Sequence, residues 1–453
     1  MSYLKQQIKN HRKQTAFRQR IKLRRHLNAD AMFAGLHQEF GKISDHRTGN
    51  VQVPLQDALM SGFAMFSLKD PSLLAFDQRR QKEPHNLRTI YGISAIPCDT
   101  QMRDILDHVT PDSLRPSFRN LFRAVQRGKA LEQMVFLDGH YLLNIDGTGI
   151  YSSEKVSSPY CLKKTIRNGK TKYYQMMLGA AIVHPDFREV LPLCPEMIVT
   201  QDGKKKQDCE QNASKRFLAD LRREHPHLKL IVNEDALSPN APHIRELEKH
   251  DLRYILSVKP GDHAFLFDQM EEAVEAGKAS EFSMPDPNNP EVLHYFRFIN
   301  GVPLNRSNQD LLVNFLQYWE VDKNGKTKQF SWVTDFTVTE ENAYQLMRGG
   351  RARWKIENET FNTLKNQGYN LDHNYGLGKK HLSAVFALLT MLAFLVDQIQ
   401  QLCCPLFKAL WKQHKTKRSL WEKIRSLFHD FIIKTMEQLH RALLDWKPQA
   451  LPE

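Results

Sequence analysis

The sequence predicts an α/β protein in which helices pack on a mixed sheet, with helical regions at both chain ends and a β-rich interruption. Three observations predict this fold class. Apolar residues recur at helical spacing up to about residue 135, fall in extended runs from His140 onward, and return to helical spacing after Phe336. Extended runs that alternate with helical ones are typical of helices layered on a sheet. A chain of 453 residues has the length for two or three domains.

The N-terminal part, up to residue 135, reads as helical and basic. A helix is expected to start at Asp99 or Thr100, because Asp or Thr ahead of an apolar periodic run is a common N-cap. Residues 114–134 place Phe and Leu on one face and Arg and Lys on the other. That pattern fits a DNA-facing helix and a solvated amphipathic helix equally well.

Residues 140–261 predict the order β-β-β-α-β-α-β. Three antiparallel strands come first, and the turn signal Asn168-Gly169 predicts a hairpin between two extended segments. The elements in chain order are strand 140–153, hairpin 165–184, an apolar stretch ending at Val199, helix 206–225, strand 228–237, a second helix and strand 252–259.

A Pro/Asn stretch and two Asn-Gly turns, at Asn300 and Asn324, predict a β-rich insertion before the strand pattern returns. Residues 382–396 form the longest apolar run, shorter than the roughly 20 residues of a membrane span. We therefore expect a buried helix and no membrane partner. The predicted regions are 1–135 (helical, basic, DNA-binding), 136–261 (first part of the core), 262–330 (β-rich insertion), 331–402 (second part of the core) and 403–453 (helical, basic).

The formal net charge is +13, and the excess is clustered at the start of the chain, where every charged residue before Asp30 is basic. A cationic arm suits a polyphosphate partner, because each neutralised phosphate releases condensed counterions. A solvated basic terminus without a ligand is the alternative. The six cysteines show no CxxC pair or zinc-site spacing, and no apolar signal region follows the early charges, so we expect a reduced, cytoplasmic protein.

Two acids stand where apolar strands end. Asp146 precedes Gly147-Thr148-Gly149, whose small residues let a phosphate or metal approach the backbone, and Asp235 follows the apolar run 228–232 near the end of its strand segment. An ordinary turn aspartate and a helix-capping acid are the alternatives, and Asp138 and Glu234 compete with the two as candidates.

A third acid, Glu357, lies in a predicted amphipathic helix. Arg353, Glu357, Phe361 and Lys365 recur every four residues and so share one helical stripe, whereas Glu359 projects to nearly the opposite side. A salt-bridge ladder on a surface helix is the alternative. Isolated carboxylates without soft-ligand motifs suit two Mg²⁺ or Mn²⁺ ions, which can neutralise both the entering and the leaving oxygen of a phosphodiester.

Several other basic and aromatic residues have a weaker claim to a DNA role. Lys259 follows a strand and could position a phosphate, and so could the hairpin cations, although solvated charge explains each as well. The tryptophans could stack on an unpaired base, with core packing as the alternative. These candidates are Lys163, Lys164, Arg167, Lys170 and Lys172 in the hairpin, and Trp319, Trp332 and Trp354 among the aromatics.

The stretches LNIDGTGIYSS, IVNEDALSPNAPHI, YILSVKPGDH and RARWKIENETFNTLKNQGYNLDHNYG resemble blocks of bacterial insertion-sequence transposases of the DDE class. The branch most resembled carries a Tyr, Arg, Glu, Lys signature on its last catalytic helix. The resemblance implies a ribonuclease H-like core, Asp146, Asp235 and Glu357 as metal ligands, and Arg353 and Lys365 contacting the transposon end. Gly350 stands in the place of the signature tyrosine, and Lys365 is eight residues after Glu357 rather than seven.

The predicted function is therefore a cut-and-paste DNA transposase that cleaves at terminal inverted repeats and joins the freed 3′ hydroxyl to target DNA. The resemblance also implies a hairpin intermediate and a homodimer that pairs two ends in the DNA complex. Two alternatives stay open: a structure-specific nuclease or resolvase using the same acids, and a non-catalytic DNA-binding protein descended from a transposase.

Overall fold

The computed structural model describes residues 24–167, 169–198, 209–414 and 416–445. Most of the basic N-terminal arm, Asn168 of the predicted hairpin turn and the start of the helix predicted at 206–225 lie outside these residues. The structure is an α/β protein with a mixed sheet, as the spacing of apolar residues predicts.

The N-terminal region is helical. Asn28 accepts the backbone N–H of Ala31 and Ser72 that of Ala75, so two of its helices begin with side-chain caps. The helix predicted at Asp99 or Thr100 begins at Asp99. The helices are α1 (Ala29–Phe40), α2 (Leu55–Ser67), α3 (Leu73–Lys82), α4 (Pro84–Tyr91), α5 (Asp99–Leu106) and α6 (Arg115–Arg127).

One continuous sheet runs through the centre of the molecule. Its strands are β1 (Val135–Leu137), β2 (His140–Ser153), β3 (Leu162–Thr165), β4 (Thr171–Val183), β5 (Leu191–Pro192), β6 (Glu196–Ile198), β7 (Leu230–Glu234), β8 (Arg253–Ser257), β9 (Ser280–Pro285), β10 (Leu293–Asn305), β11 (Asn308–Val321) and β12 (Thr327–Thr334). The order across the sheet is β3-β4-β2-β7-β8-β12-β11-β10-β9, with β1 paired to β2 and with β5 and β6 paired to β4. β2, β7 and β8 are parallel, and the remaining pairs are antiparallel.

The third antiparallel strand predicted before residue 199 is not one strand. It is divided into β5 and β6, both antiparallel to β4. Pro192 and Pro195 explain the division, because proline lacks the N–H that a continuous ladder needs.

The segment predicted as a β-rich insertion begins with a helix, α9 (Ala264–Glu275), which the sequence pattern did not predict. β9 to β12 then extend the central sheet, because β12 pairs with β8 on one side and β11 on the other. The predicted boundary between residues 330 and 331 falls inside β12.

Helices cover both faces of the sheet beside β2 and β7. The buried carboxylate of Glu234 contacts His243 of α8 (Ala241–Lys249), while the neighbouring Asn233 contacts the end of α10 (Glu340–Arg351). Because successive strand residues point to opposite faces, α8 and α10 lie on opposite sides. α7 (Glu210–Glu224) lies on the α8 side, with Glu210 against Gly147 of β2.

The apolar run at 382–396 lies within α12 (Leu382–Cys403), a helix of 22 residues that is 94% buried over its most apolar window. By length and composition alone this helix could cross a membrane, but here it forms the centre of the helical core and packs against α2. The chain continues with α13 (Pro405–Gln413), α14 (Lys417–Asp430) and α15 (Met436–Asp445).

Candidate active site

Two neighbouring parallel strands carry the first two acids in the same register. Asn144 of β2 is paired with Asn233 of β7, and an aspartate follows two positions later in each segment. Asp235 directly follows the last residue of β7. Asp146 lies within β2 and not at a strand end as predicted, because β2 stays paired with β4 beyond the glycines. The carboxyl ends of parallel strands meet at one edge of a sheet, so the register brings both acids to the same place.

The two paired asparagines hold the helix that precedes the third acid. The amide of Asn144 donates to the carbonyl of Ala352 at 2.7 Å, and that of Asn233 donates to the carbonyl of Gly349 at 2.7 Å. Both side chains are fully buried. Each carbonyl also accepts a backbone N–H, that of Gly349 from Ala352 and that of Ala352 from Lys355, so each amide adds a second bond and ties its strand to the helix end. The Asn-x-Asp pattern, repeated at two strand ends, is a sequence signal that could have found this anchor.

Arg353 follows this anchored helix end and connects two of the predicted acids. Its guanidinium Nη1 lies 2.9 Å from Oε1 of Glu357 and 3.6 Å from Oδ2 of Asp146. The Arg353 side chain is only 15% exposed, and that of Glu357 is 43% exposed. Glu357 therefore lies beside Asp146, on the α10 face of the sheet.

The helix predicted to carry Glu357 is not a regular α-helix. α10 ends at Arg351, and residues Ile356–Phe361 form a π-helical segment followed by the short helix α11 (Asn362–Asn366). The N–H of Asn362 bonds the carbonyl of Glu357, five residues back instead of four. The predicted four-residue stripe therefore holds for Arg353 and Glu357, which pair with each other, and its regular spacing is interrupted by the π-helical segment.

A π-helical turn accommodates one extra residue within an α-helix. Lys365 follows Glu357 by eight positions, and the π-helical segment lies between the two. Because the wider turn takes up one extra residue, the residues after it face the side that they would face in an α-helix one residue shorter.

The environments of Glu357 and Glu359 are different. Glu357 pairs with Arg353, and its charge raises the pKa of Asp146. Burial lowers the pKa of Lys355 and of Lys417, and the negative charge of Glu359 opposes that effect in both. Glu359 therefore lies near Lys355 and Lys417, whereas Glu357 acts on Asp146.

Position 350 is packed tightly against a side chain from another element. A Cβ added at Gly350 would lie 2.3 Å from Nε1 of Trp332, whose indole belongs to β12. No side chain larger than hydrogen fits beside this buried ring. Glycine at position 350 is thus required by the packing of Trp332, which is a core residue.

Asp146 is the electrostatic centre of the cluster. Burial raises the pKa of its carboxyl to about 6, with further upward contributions from Glu357 and Asp235. The N–H of Gly147 and the charge of Arg353 act in the opposite direction without cancelling the effect. A carboxyl that is hard to ionise beside two other acids is one whose charge a cation would stabilise.

A cavity of about 680 Å³ opens beside the strand ends, between the sheet and the starts of α7 and α8. Asp146 and Asp235 line it, together with Glu210 and Glu234, while Glu357 is not among its lining residues. Glu234 is hydrogen-bonded to His243. Burial lowers the pKa of the His243 imidazole and the negative charge of Glu234 raises it, and the net effect is a raised pKa.

Glu210 is a fourth acid that sequence reasoning missed. A Cβ added at Gly147 would lie 2.1 Å from Oε1 of Glu210, so the carboxylate rests directly on the backbone after Asp146. Burial raises the pKa of Glu210, and the charges of Asp235 and Glu234 add to that effect. Its position at the start of α7, far from the other acids in sequence, carried no local signal.

The donor set has the hard oxygen ligands that Mg²⁺ and Mn²⁺ prefer. In the described part of the chain, however, no group of three or more His, Cys, Asp or Glu side chains is close enough to hold an ion. Arg353 stands between Asp146 and Glu357 and neutralises both. The carboxylates thus have the chemistry that such ions need. In this structure they form a cluster in which Arg353 pairs with Asp146 and Glu357.

The basic residues predicted to bind DNA lie in three different settings. Arg353 is paired with the acids, Lys365 is half-buried in α11, and Lys259 is exposed in the turn after β8. Trp354 is 52% exposed beside Arg353, and Trp319 stacks with Arg297 of the neighbouring strand. Their DNA-binding roles stay predictions.

No protein-family model matches this sequence, and no curated protein matches it either. Among solved structures, the chain is similar to a piggyBac transposase in the cryo-EM structure of its synaptic complex with hairpin DNA. The identity is 12% and the TM-score 0.39, with 94% of this chain and 85% of that chain covered. A likeness at this level carries no argument about what this chain does.

Proposed function

We propose that this protein is a DNA transposase of the DDE class that cuts DNA at the ends of a mobile element. In this proposal Asp146, Asp235 and Glu357 are the catalytic acids. The observation that carries it is the convergence of these three acids, from β2, the end of β7 and the π-helical segment, around the single carboxyl of Asp146.

The strand order supports a ribonuclease H-like core. β2 pairs antiparallel with β4, then β7 and β8 follow β2 in parallel with connecting helices α7 and α8. Asp146 lies on the first strand of this set and Asp235 after the next parallel one. In this proposal β9 to β12 are an insertion that extends the core sheet before the third acid.

Two Mg²⁺ or Mn²⁺ ions, when bound, would polarise the attacking oxygen and neutralise charge on the leaving one. Asp146, Asp235 and Glu357 are the residues that would hold them, with Glu210 next to Asp146. Arg353 would keep the acids oriented and give up part of its pairing. Lys259, Lys365 and Arg353 are the proposed contacts to the phosphate backbone of double-stranded DNA.

The decisive experiment joins cleavage and strand transfer. The purified protein is incubated in the presence of Mg²⁺ with a duplex carrying the inverted repeats that bracket its gene and with a target plasmid. Nicking at the repeat ends followed by joined products supports the proposal, and Asp146→Asn is expected to abolish cutting while DNA binding remains. A protein that cuts without joining is a nuclease or resolvase, and one that binds without cutting is a DNA-binding protein.

The proposal extends to assembly and place of action. Two protomers would pair two ends in the DNA complex, in the bacterial cytoplasm. Sedimentation of the protein with and without repeat DNA tests the assembly, because a stoichiometry of one protomer per pair of ends would contradict it.

A further inference from the structure

The hairpin formed by β3 and β4 carries a cluster of cations, of which Lys170 pairs with Glu154, just after β2, at 3.7 Å. Between Leu162 and Met176 the sequence has five basic residues and no Asp or Glu, and the basic residues are Lys163, Lys164, Arg167, Lys170 and Lys172. β3 is the last strand on its side of the sheet. Lysines on an edge strand also discourage pairing with a second chain, so the arrangement of these cations has to decide their role.

The two faces of the hairpin are distinguishable. Lys164 is the cross-strand partner of Lys172, and Leu162 is that of Tyr174. Alternate residues and direct cross-strand partners share a face, so Lys164 and Lys172 lie on the face of Tyr174. Lys163, the partner of Tyr173, lies on the opposite face.

The face with Lys164 and Lys172 leads into the carboxylate cavity. Leu162, Tyr174 and Met176 line that cavity together with Asp146. Lys172 is two residues along β4 from Tyr174, which at strand geometry is about 7 Å. A chain of phosphates entering the cavity would therefore pass these two ammonium groups.

The pairing of Lys164 with Lys172 is unfavourable within the protein alone. Like charges directly opposite each other in a sheet are destabilising. The ammonium group of Lys164 lies 5.2 Å from the Tyr174 ring centre, within cation–π distance, and Lys164 is exposed, so its charge also faces solvent. An arrangement that costs stability and holds two cations side by side suits an anionic partner that would relieve the repulsion.

We propose that Lys164 and Lys172 bind the phosphate backbone of double-stranded DNA beside the carboxylate cavity. The inference deepens the proposed function and rests on it, because it names a surface along which the duplex would approach the cavity that Asp146 and Asp235 line. Contacts of this kind position the duplex and do not read its sequence.

The test measures how the affinity of the full-length protein for a mixed-sequence DNA duplex depends on salt, with EDTA present to prevent cutting. The double variant Lys164→Gln/Lys172→Gln is expected to lower the slope of log K against log salt by about 2, since each lost phosphate contact contributes about 0.9. The control Lys278→Gln/Lys434→Gln removes the same charge from exposed sites on other elements and should leave the slope unchanged. Lys163→Gln, on the other face, should have a smaller effect than Lys164→Gln.

An equal change of slope in the control pair, or a Lys163 effect as large as that of Lys164, would overturn the inference and leave the proposed function intact. The inference would also be overturned, and the proposed function left intact, if the hairpin lysines bound single-stranded RNA in preference to the duplex. Failure of the unsubstituted protein to bind any duplex would instead defeat the proposed function itself. The melting temperature of the double variant should be unchanged or raised, because a repulsive pair has been removed, and this result shows that the fold is retained.

Discussion

Asn144 and Asn233 are direct partners across two parallel strands, and each donates its side-chain amide to a carbonyl at the same helix end. These two hydrogen bonds fix the position, relative to Asp146, of the segment that carries Arg353 and Glu357. The strands and the helix could otherwise slide past each other, because apolar contacts between them are non-directional.

We expect Asn144→Asp to destabilise the protein by about 2 to 4 kcal/mol, because the buried amide donor is replaced by an acceptor that faces a carbonyl. Urea unfolding measures the change. Asn324→Asp, at an exposed turn, is the matched control and should change the free energy of unfolding by less than about 0.5 kcal/mol. Equal stability of the two variants would show that the Asn144 amide does not hold the helix.

The raised pKa of Asp146 predicts a pH dependence of stability. Its carboxyl has a pKa of about 6 in the folded state, raised from the ordinary value of 3.8. The folded state then binds the proton more tightly, so this group stabilises the fold at low pH and that contribution is lost as pH rises from about 4 through 6. The loss is no more than about 3 kcal/mol.

Asp146→Asn removes this contribution. In the absence of metal, the free energy of unfolding of the variant minus that of the unsubstituted protein should therefore rise with pH across the same window. Asp268→Asn, at an exposed position, is the control and should give a flat difference. Added Mn²⁺ should raise the melting temperature of the unsubstituted protein above pH 6 and not that of Asp146→Asn, and equal shifts in both would exclude Asp146 as a ligand.

Glu357 and Glu359 form a matched pair for testing the third acid. Glu357→Gln should lower duplex cleavage by at least about 100-fold, because an oxygen ligand beside Asp146 loses its charge. Glu359→Gln should change cleavage by less than roughly threefold, because Glu359 lies among Lys355 and Lys417. Cleavage rates under single-turnover conditions give the comparison, and the reverse order of effects would assign the role to Glu359.

The π-helical segment predicts an unusual tolerance to deletion. Removing Asn358 should convert the π turn to a regular α-helix and keep Phe361 and Lys365 on their present faces, so the protein should fold with a similar melting temperature. Removing Gln345 from α10 should rotate the rest of that helix by about 100° and prevent folding. Circular dichroism melts distinguish the two, and unfolding of both would argue against an absorbed extra residue.

Part of the candidate site could be read from the sequence because its signals are local. An apolar segment that ends in Asp146, a second that leads to Asp235, and a charged helical segment around Glu357 are each recognisable from neighbouring residues alone. Glu210 could not be found in this way, because nothing near it in sequence shows that it rests on Gly147. The same holds for Trp332, which fills the space that a side chain at position 350 would need.

The sequence by itself determined the type of most elements, the mixed α/β class and the candidate acids, because hydrophobic periodicity and turn chemistry act over short distances. Only the tertiary structure decided that Glu357 and not Glu359 lies beside Asp146, that the helix carrying it widens into a π turn, and that two asparagines anchor its start. These features depend on which faces meet across the sheet, and that is set by packing between segments far apart in the chain.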